Sequence, residues 1–313
     1  MEEPSRHRAL DRILAMNDAD EAMRLLAEDL SGSDLTTFLL EVSRRRVERL
    51  RPADVLRQYG RDRFVAPARV DPIRLARLHL AALESALPEF QPIIPAPLAP
   101  FGTHSTLGGV HQNNVVTTMR TGEVTADPTS SLALEAAVRR GDLLAITPTS
   151  TEAVRLAAVD RVLRAQVFAG DRSFSHFSLF GLVTAGRDTG NHTFETTALT
   201  EQLTVLVDFV ARVGGEGVTA RLSDLNGDYD DVIELVASDL RSRGAACERW
   251  PDRRNGVGYY PNVCFKLSVT IDGEEIEVAD GGTVEWTQLL LQNRKERLMI
   301  SGLSLERLAL LIG

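Results

Sequence analysis

Two arginines far apart in the chain, Arg164 and Arg307, stand in settings suited to anion chemistry. Arg164 lies in the run RVLRAQVFAGDRSFSHFSLFGLVTAGR, from Arg161 to Arg187, with Gln166 two positions on. A short polar loop carrying Gly170, Asp171 and Arg172 follows, and then His176, Phe177 and Phe180. Arg307 comes after Gly302, Ser304 and Glu306 in ISGLSLERLALLIG, where a glycine-bearing strand runs into an apolar helix. A guanidinium offers a planar fork of N–H donors that matches a phosphate. A helix N-terminus adds partial positive charge, and an aromatic ring takes a flat base. The first stretch predicts a cradle for a phosphate and a planar ring, and the second a helix start that favours anions.

The elements that position these residues are readable from periodicity. The apolar runs on either side of Gly170–Arg172 predict an antiparallel hairpin with charge at its tip. Upstream, residues from about 5 to 60 carry apolar side chains at helical spacing, broken at Asn17, Asp18 and Ser31–Ser33. The basic run Arg44–Arg46 there reads as a solvated helix face. A longer helix, PIRLARLHLAALESAL, feeds EFQPIIPAPLAP, an apolar strand ended by prolines. NNVVTTMRTGEVTAD predicts a hairpin turning at Arg120–Glu123, and PTSSLALEAAVRRG a helix with Thr129, Ser130 and Ser131 as N-cap candidates. FETTALTEQLTVLVDFVARVG and DDVIELVASDLRSRG read as helices, with the strand VTARLSDL between them. Two more strands meet at Asp272–Gly273 in the segment ending at Trp286. Strands with helices at intervals predict an α+β fold: a mixed antiparallel sheet flanked by helices over 66–313, preceded by a helical module over 1–65.

Composition narrows the function. With 313 residues and a net charge of −9, the chain has no basic footprint for nucleic acid. No apolar run is long enough for a bilayer, and the charged start MEEPSRHRALDR lacks an apolar signal core, so the expectation is a cytoplasmic protein away from membranes. Cys247 and Cys264 read as inert thiols. His104 and His111 have no acid or cysteine at metal-ligand spacing, so no protein-held metal site is expected.

The Arg-x-Gln strand, its loop and return strand, and the closing Gly-x-Ser-x-Glu-Arg-Leu resemble motifs 2 and 3 of the class II aminoacyl-tRNA synthetases. The helix and proline-ended strand after Asp71 are similar to motif 1, which implies a homodimer. GVGYYPNVCFKL and ADGGTVEW are similar to the histidyl-tRNA synthetase branch and its non-charging paralogues. The resemblance implies ATP and magnesium as cofactors, with Arg164 on the α-phosphate and Arg307 on the adenine or γ-phosphate. Gln166, Arg172, His176, Phe180 and Glu306 would complete the nucleotide site. A Thr- or Ser-rich loop with an acid, either Thr129–Ser131 with Glu135 or Thr147–Glu152, would take a substrate ammonium. Leu179, Val183, Tyr259, Tyr260, Gly281 and Gly282 would line the acid pocket.

Three departures direct the functional expectation. Gln166 stands where motif 2 has an acid. Leu179 and Val183 stand where the histidine enzymes carry imidazole-reading polar groups, and an apolar wall there would cost about 1–3 kcal/mol per unpaired group. The chain ends shortly after motif 3, where those enzymes continue into an anticodon-binding domain. These departures imply a ligase that activates a small amino or carboxylic acid as an acyl-adenylate for a carrier protein or small-molecule acceptor, rather than ordinary tRNA. The alternative is a non-catalytic regulatory subunit, like that of ATP phosphoribosyltransferase.

Overall fold

The computed structural model describes residues 4–16, 18–166, 175–251, 253, 258–271 and 273–311. Their contacts divide the chain into Met1–Asp62 with Thr118–Gly122, and Arg63–Thr117 with Glu123–Gly313.

The first unit is helical: α1 (Pro4–Leu14), α2 (Ala19–Arg24) running into a π-helical turn at Leu25–Asp29, α3 (Gly32–Val47) and α4 (Pro52–Tyr59). Ser31 caps α3, its hydroxyl accepting from Asp34 N at 3.2 Å. The basic run faces solvent, with Arg44 and Arg45 both paired to Glu41 one turn back. No described side chain from 8 to 62 is buried.

The second unit is built on an eight-stranded sheet. In chain order its strands are β1 (Gln91–Pro92), β4 (Val154–Leu163), β5 (His176–Arg187), β6 (Thr219–Asp224), β7 (Ala246–Arg249), β8 (Val263–Ile271), β9 (Glu274–Val284) and β10 (Glu296–Ser304). In space they run β1-β4-β5-β10-β9-β8-β6-β7, while β2 (Leu98–Pro100) and β3 (Gly122–Val124) form a separate ribbon. The central pairings are antiparallel; β1 joins β4 and β7 joins β6 in parallel. Helices α5 (Pro72–Ser85), α6 (Thr103–Gly108), α7 (Pro128–Ile146), α8 (Thr193–Arg212), α9 (Asp230–Ser242), α10 (Trp286–Leu291) and α11 (Leu305–Leu311) complete the unit. The mixed α+β architecture is the one expected.

Alternation along the strands makes two cores. Leu156 and Ala158 of β4, Val183 and Ala185 of β5, and Leu298 and Ile300 of β10 pack with Leu132, Ala133 and Ala136 of α7. Their neighbours Ala157, Phe180, Leu182, Met299 and Leu303 share the other core with residues of α5, α8, α9 and α11. β5 is buried along most of its length, as a strand covered on both faces must be.

Local chemistry departs from the sequence reading in four places. The segment EFQPIIPAPLAP yields only the short β1 and β2, because its four prolines lack ladder donors. The Arg120–Glu123 turn closes on a single antiparallel bridge, Thr117 to Glu123, rather than a full hairpin. The cap of α7 is Asp127, whose carboxylate accepts from Thr129 N at 2.9 Å, so Thr129–Ser131 lie inside the helix. The parallel strand β7 went unforeseen; its four residues are too short to show a period.

Candidate functional site

Arg164 follows the last residue of β4 and continues that strand's pairing, its N–H donating to Ser175 O at 2.8 Å. Its Nε donates to Ala126 O at 2.9 Å and its Nη2 to Asp127 Oδ2 at 3.3 Å, with the guanidinium 5.2 Å from the centre of the Phe177 ring. Asp127 therefore has two tasks. One oxygen caps α7 and takes the Thr129 hydroxyl at 2.7 Å; the other holds Arg164. Together they fix the guanidinium at one wall of a cavity of about 520 Å³ that Gln166, Phe177 and Leu179 also line.

Arg307 lies on the first turn of α11 and lines the same cavity, anchored by Nη1 donating to Glu277 O at 2.5 Å. Between the two arginines, β8 and β9 supply a charged cluster. Lys266 Nζ reaches Asp280 Oδ2 at 2.8 Å and Glu277 Oε2 at 2.9 Å. Arg253 Nη2 donates to Asp280 at 3.0 Å, its Nη1 donates to Phe265 O, and its guanidinium lies 5.5 Å from the Tyr260 ring centre. Burial opposes the charge on Lys266, yet Asp280 and Glu277 outweigh it and hold the ammonium above its ordinary range.

The cover of the cavity is polar and neutral. Burial, with Asp280 beside it, pushes the Tyr260 hydroxyl well above its ordinary range; burial and Asp127 do the same for Tyr259. Both stay protonated and so can donate. His104 Nε2 accepts from Ala126 N at 3.1 Å, and burial keeps the imidazole below its usual range and uncharged. The described lining carries Arg164, Arg253, Lys266 and Arg307 against Asp127, Glu277 and Asp280. In a chain of net charge −9, this one cleft leans positive, as an anionic ligand requires.

No protein-family model and no curated protein matches the chain. Solved structures match in shape. A protein from Bacillus halodurans C, described as an ATP phosphoribosyltransferase regulatory subunit/histidyl-tRNA synthetase, superposes with a TM-score of 0.61 at 14% identity, over 77% of this chain and 79% of its own. Apo histidyl-tRNA synthetase from S. aureus gives 0.59 at 15%, over 78% and 67%. The histidine–tRNA ligase subunit of Alicyclobacillus acidocaldarius gives 0.59 at 13%, over 79% and 96%. The fold is that of the class II aminoacyl-tRNA synthetases. Within that fold, the solved neighbours include the histidyl branch and its regulatory paralogue.

On the synthetase fold, the residues singled out from sequence divide by strand face. Arg164, Gln166, Arg307, Thr129, Leu179, Tyr259 and Tyr260 line the cavity. His176, Phe180 and Glu306 do not. Phe180 is fully buried in the opposite core, edge-on to Phe209, and so cannot stack on a base. His176 bonds Arg161 and Ala66 O, and Glu306 is buried against Ser178. Val183 is core beneath α7. Glu135 pairs with Arg139, one turn on, and Ser131 is outside the lining while Ser130 is inside it.

The alternative loop, Thr147–Glu152, instead offers the Ser150 and Glu152 carbonyls to Arg140. Gly281 and Gly282 do not touch the cavity. They admit neighbours: a Cβ at Gly281 would fall 2.4 Å from the Phe265 ring, and one at Gly282 2.7 Å from Tyr260. Arg172 lies outside the described residues. The residues that the sequence does not single out for the site are Asp127, Arg253, Lys266, Glu277 and Asp280, together with His104, whose spacing bears only on metal binding.

Proposed function

We propose that this chain binds ATP with magnesium in the cavity and activates a small amino or carboxylic acid as an acyl-adenylate, for a carrier protein or small-molecule acceptor rather than ordinary tRNA. The supporting observation is that Arg164 and Arg307 line one cavity from different walls. A carboxylate oxygen of the acid would attack the α-phosphorus, and the bond to the β-phosphate bridging oxygen would break to release pyrophosphate. Charge gathers on phosphoryl oxygens in that transition state, so fixed cations contribute more than a strong base.

Arg164, oriented by Asp127, suits the α-phosphate; Arg307, tethered to Glu277 O, suits the far phosphates or the adenine edge, with Phe177 in place of Phe180 as the neighbouring ring. Among the described residues no group of three carboxylates or histidines could hold a metal alone, so magnesium would be held largely through the phosphate oxygens. Thr129, Tyr259 and Tyr260 offer hydroxyls to the acid, while Leu179 leaves part of its pocket apolar. The assembly is proposed as a homodimer.

The test is ATP–pyrophosphate exchange across a panel of amino and carboxylic acids, with Arg164→Ala as the control. Exchange with at least one acid, lost in the variant, is expected; no exchange with any acid overturns the proposal. Gln166, standing where an acid would accept from the adenine amino group, favours a second reading: a regulatory subunit that binds an effector in the same cavity without chemistry. Ligand binding without exchange, together with co-purification of a partner enzyme, would select it.

A further inference from the structure

Behind the cavity, on the opposite face of β4 and β5, Arg161 joins three elements. Its Nη1 donates to Glu306 Oε1 at 2.9 Å, its Nη2 lies 2.6 Å from His176 Nδ1, and its Nε is 3.1 Å from the same nitrogen. A guanidinium can only donate, so Nδ1 must accept, and the His176 proton sits on Nε2, which donates to Ala66 O at 2.7 Å. Glu306 is fully buried and also accepts from Ser178 N at 2.5 Å. On α5, burial and, less, the charge of Arg161 keep the His79 imidazole below its usual range. One imidazole nitrogen and one buried carboxylate thus hold a single, partly exposed guanidinium.

Glu306 and Arg307 are consecutive on the first turn of α11, so their side chains point about 100° apart around the helix axis. Glu306 enters the clamp while Arg307 enters the cavity. We infer that Arg161 is a positioning residue for the nucleotide site: by fixing Glu306, it sets the roll of α11 and aims Arg307 at the bound phosphates. This rests on the nucleotide reading above. Leu305, Leu308 and Ala309 seat the same helix in the core, and the Arg161–Glu306 pair adds a polar contact to that seating at the residue next to Arg307. A carboxylate with 1% side-chain exposure cannot drop its cation without a cost to the helix that carries it.

The experiment is ATP titration by calorimetry on the full chain, in wild type, Arg161→Gln, Arg307→Ala and the double variant, with thermal melts on each. Arg161→Gln should weaken ATP by about ten- to a hundred-fold, the scale of one charge-assisted contact. In the Arg307→Ala background, the same change should have little further effect on affinity, because nothing remains to be aimed. Arg161→Lys, which keeps a cation for Glu306, should recover part of the affinity and stands in should Arg161→Gln fail to fold. Equal losses with and without Arg307 would mean that Arg161 supports the fold alone, and the inference falls. Wild type that binds no ATP would instead sink the nucleotide reading, and the inference with it.

Discussion

Arg140 of α7 and Glu296 of β10 meet as a parallel pair, Nε to Oε2 at 2.8 Å and Nη2 to Oε1 at 2.9 Å, with neither side chain exposed. Nη1 and Nη2 of Arg140 also donate to the Glu152 and Ser150 carbonyls, so each guanidinium nitrogen has a partner. Removing Arg140 leaves the buried Glu296 carboxylate with only the more distant Arg187, 3.8 Å away, to offset its charge. Arg140→Ala should lower stability by about 3–5 kcal/mol, read as a shift of the urea midpoint. Replacing both partners, Arg140→Met with Glu296→Leu, should cost much less than the single change. If the double variant is the less stable of the two, the uncompensated charge is not the cause.

Acid should weaken the fold through two imidazoles. Burial holds His104 and His79 below the ordinary histidine value of 6.5, so the unfolded chain binds protons more readily than the folded one. The stability these neutral rings provide is complete above pH 6.5 and is lost as pH falls below it toward their folded values. Melting temperature should therefore fall between about pH 6.5 and 5. His104→Gln, which keeps an acceptor for Ala126 N, should flatten part of that slope. A wild-type profile level across the window would contradict this.

Asp160 has the opposite sign. On β4 its Oδ2 is buried without a hydrogen-bond partner, and burial raises the carboxyl above its ordinary value of 3.8. Such a group contributes stability that is present below its unfolded pKa and lost as pH rises through the folded one. At neutral pH it is carried ionised at a cost. Asp160→Asn should raise the melting temperature at pH 7, with the gain shrinking as pH approaches 3.8. A gain that is the same at both pH values would point to packing instead.

Gly282 is the place where the Tyr260 wall depends on a missing side chain. A Cβ there would meet Tyr260 Cδ1 and Cys264 Cβ at 2.7 Å and Val263 O at 2.8 Å, two of them on backbone or at its root. Gly282→Ala should cost about 1–3 kcal/mol and displace Tyr260. The near-ultraviolet tyrosine signal and ligand affinity should change together; an unchanged signal would show that the strand yields instead of the ring.

Much of the architecture was legible in the chain. The helical spacing of α5, α7, α8 and α9 and the turn residues between β8 and β9 fix those elements with little ambiguity. Arg164 and Arg307 line the same cavity. The misplacement of His176 and Phe180 has one cause, strand register. Phe177 and Leu179 face the cavity, while His176 and Phe180 lie on the other face of the strand, Phe180 in the other core; a period of two forbids grouping all four. The Lys266–Asp280 pair was hidden more deeply. Counting outward from the turn places Lys266 opposite Ala279, but the register shift at Leu267/Ser268 moves it onto Asp280. Asp127 is passed over as a cap in favour of the hydroxyls of Thr129–Ser131 just after it, and only the approach of Arg164 from a distant strand reveals its second task.

The helices ahead of Arg63 fully bury none of their described residues, whereas β5 buries most of its own. Selection acting through core volume therefore has little hold on residues 8 to 62. In relatives of this protein, that stretch should drift fastest, changing identity at positions such as Leu56 and Val47 long before Leu182 changes at all.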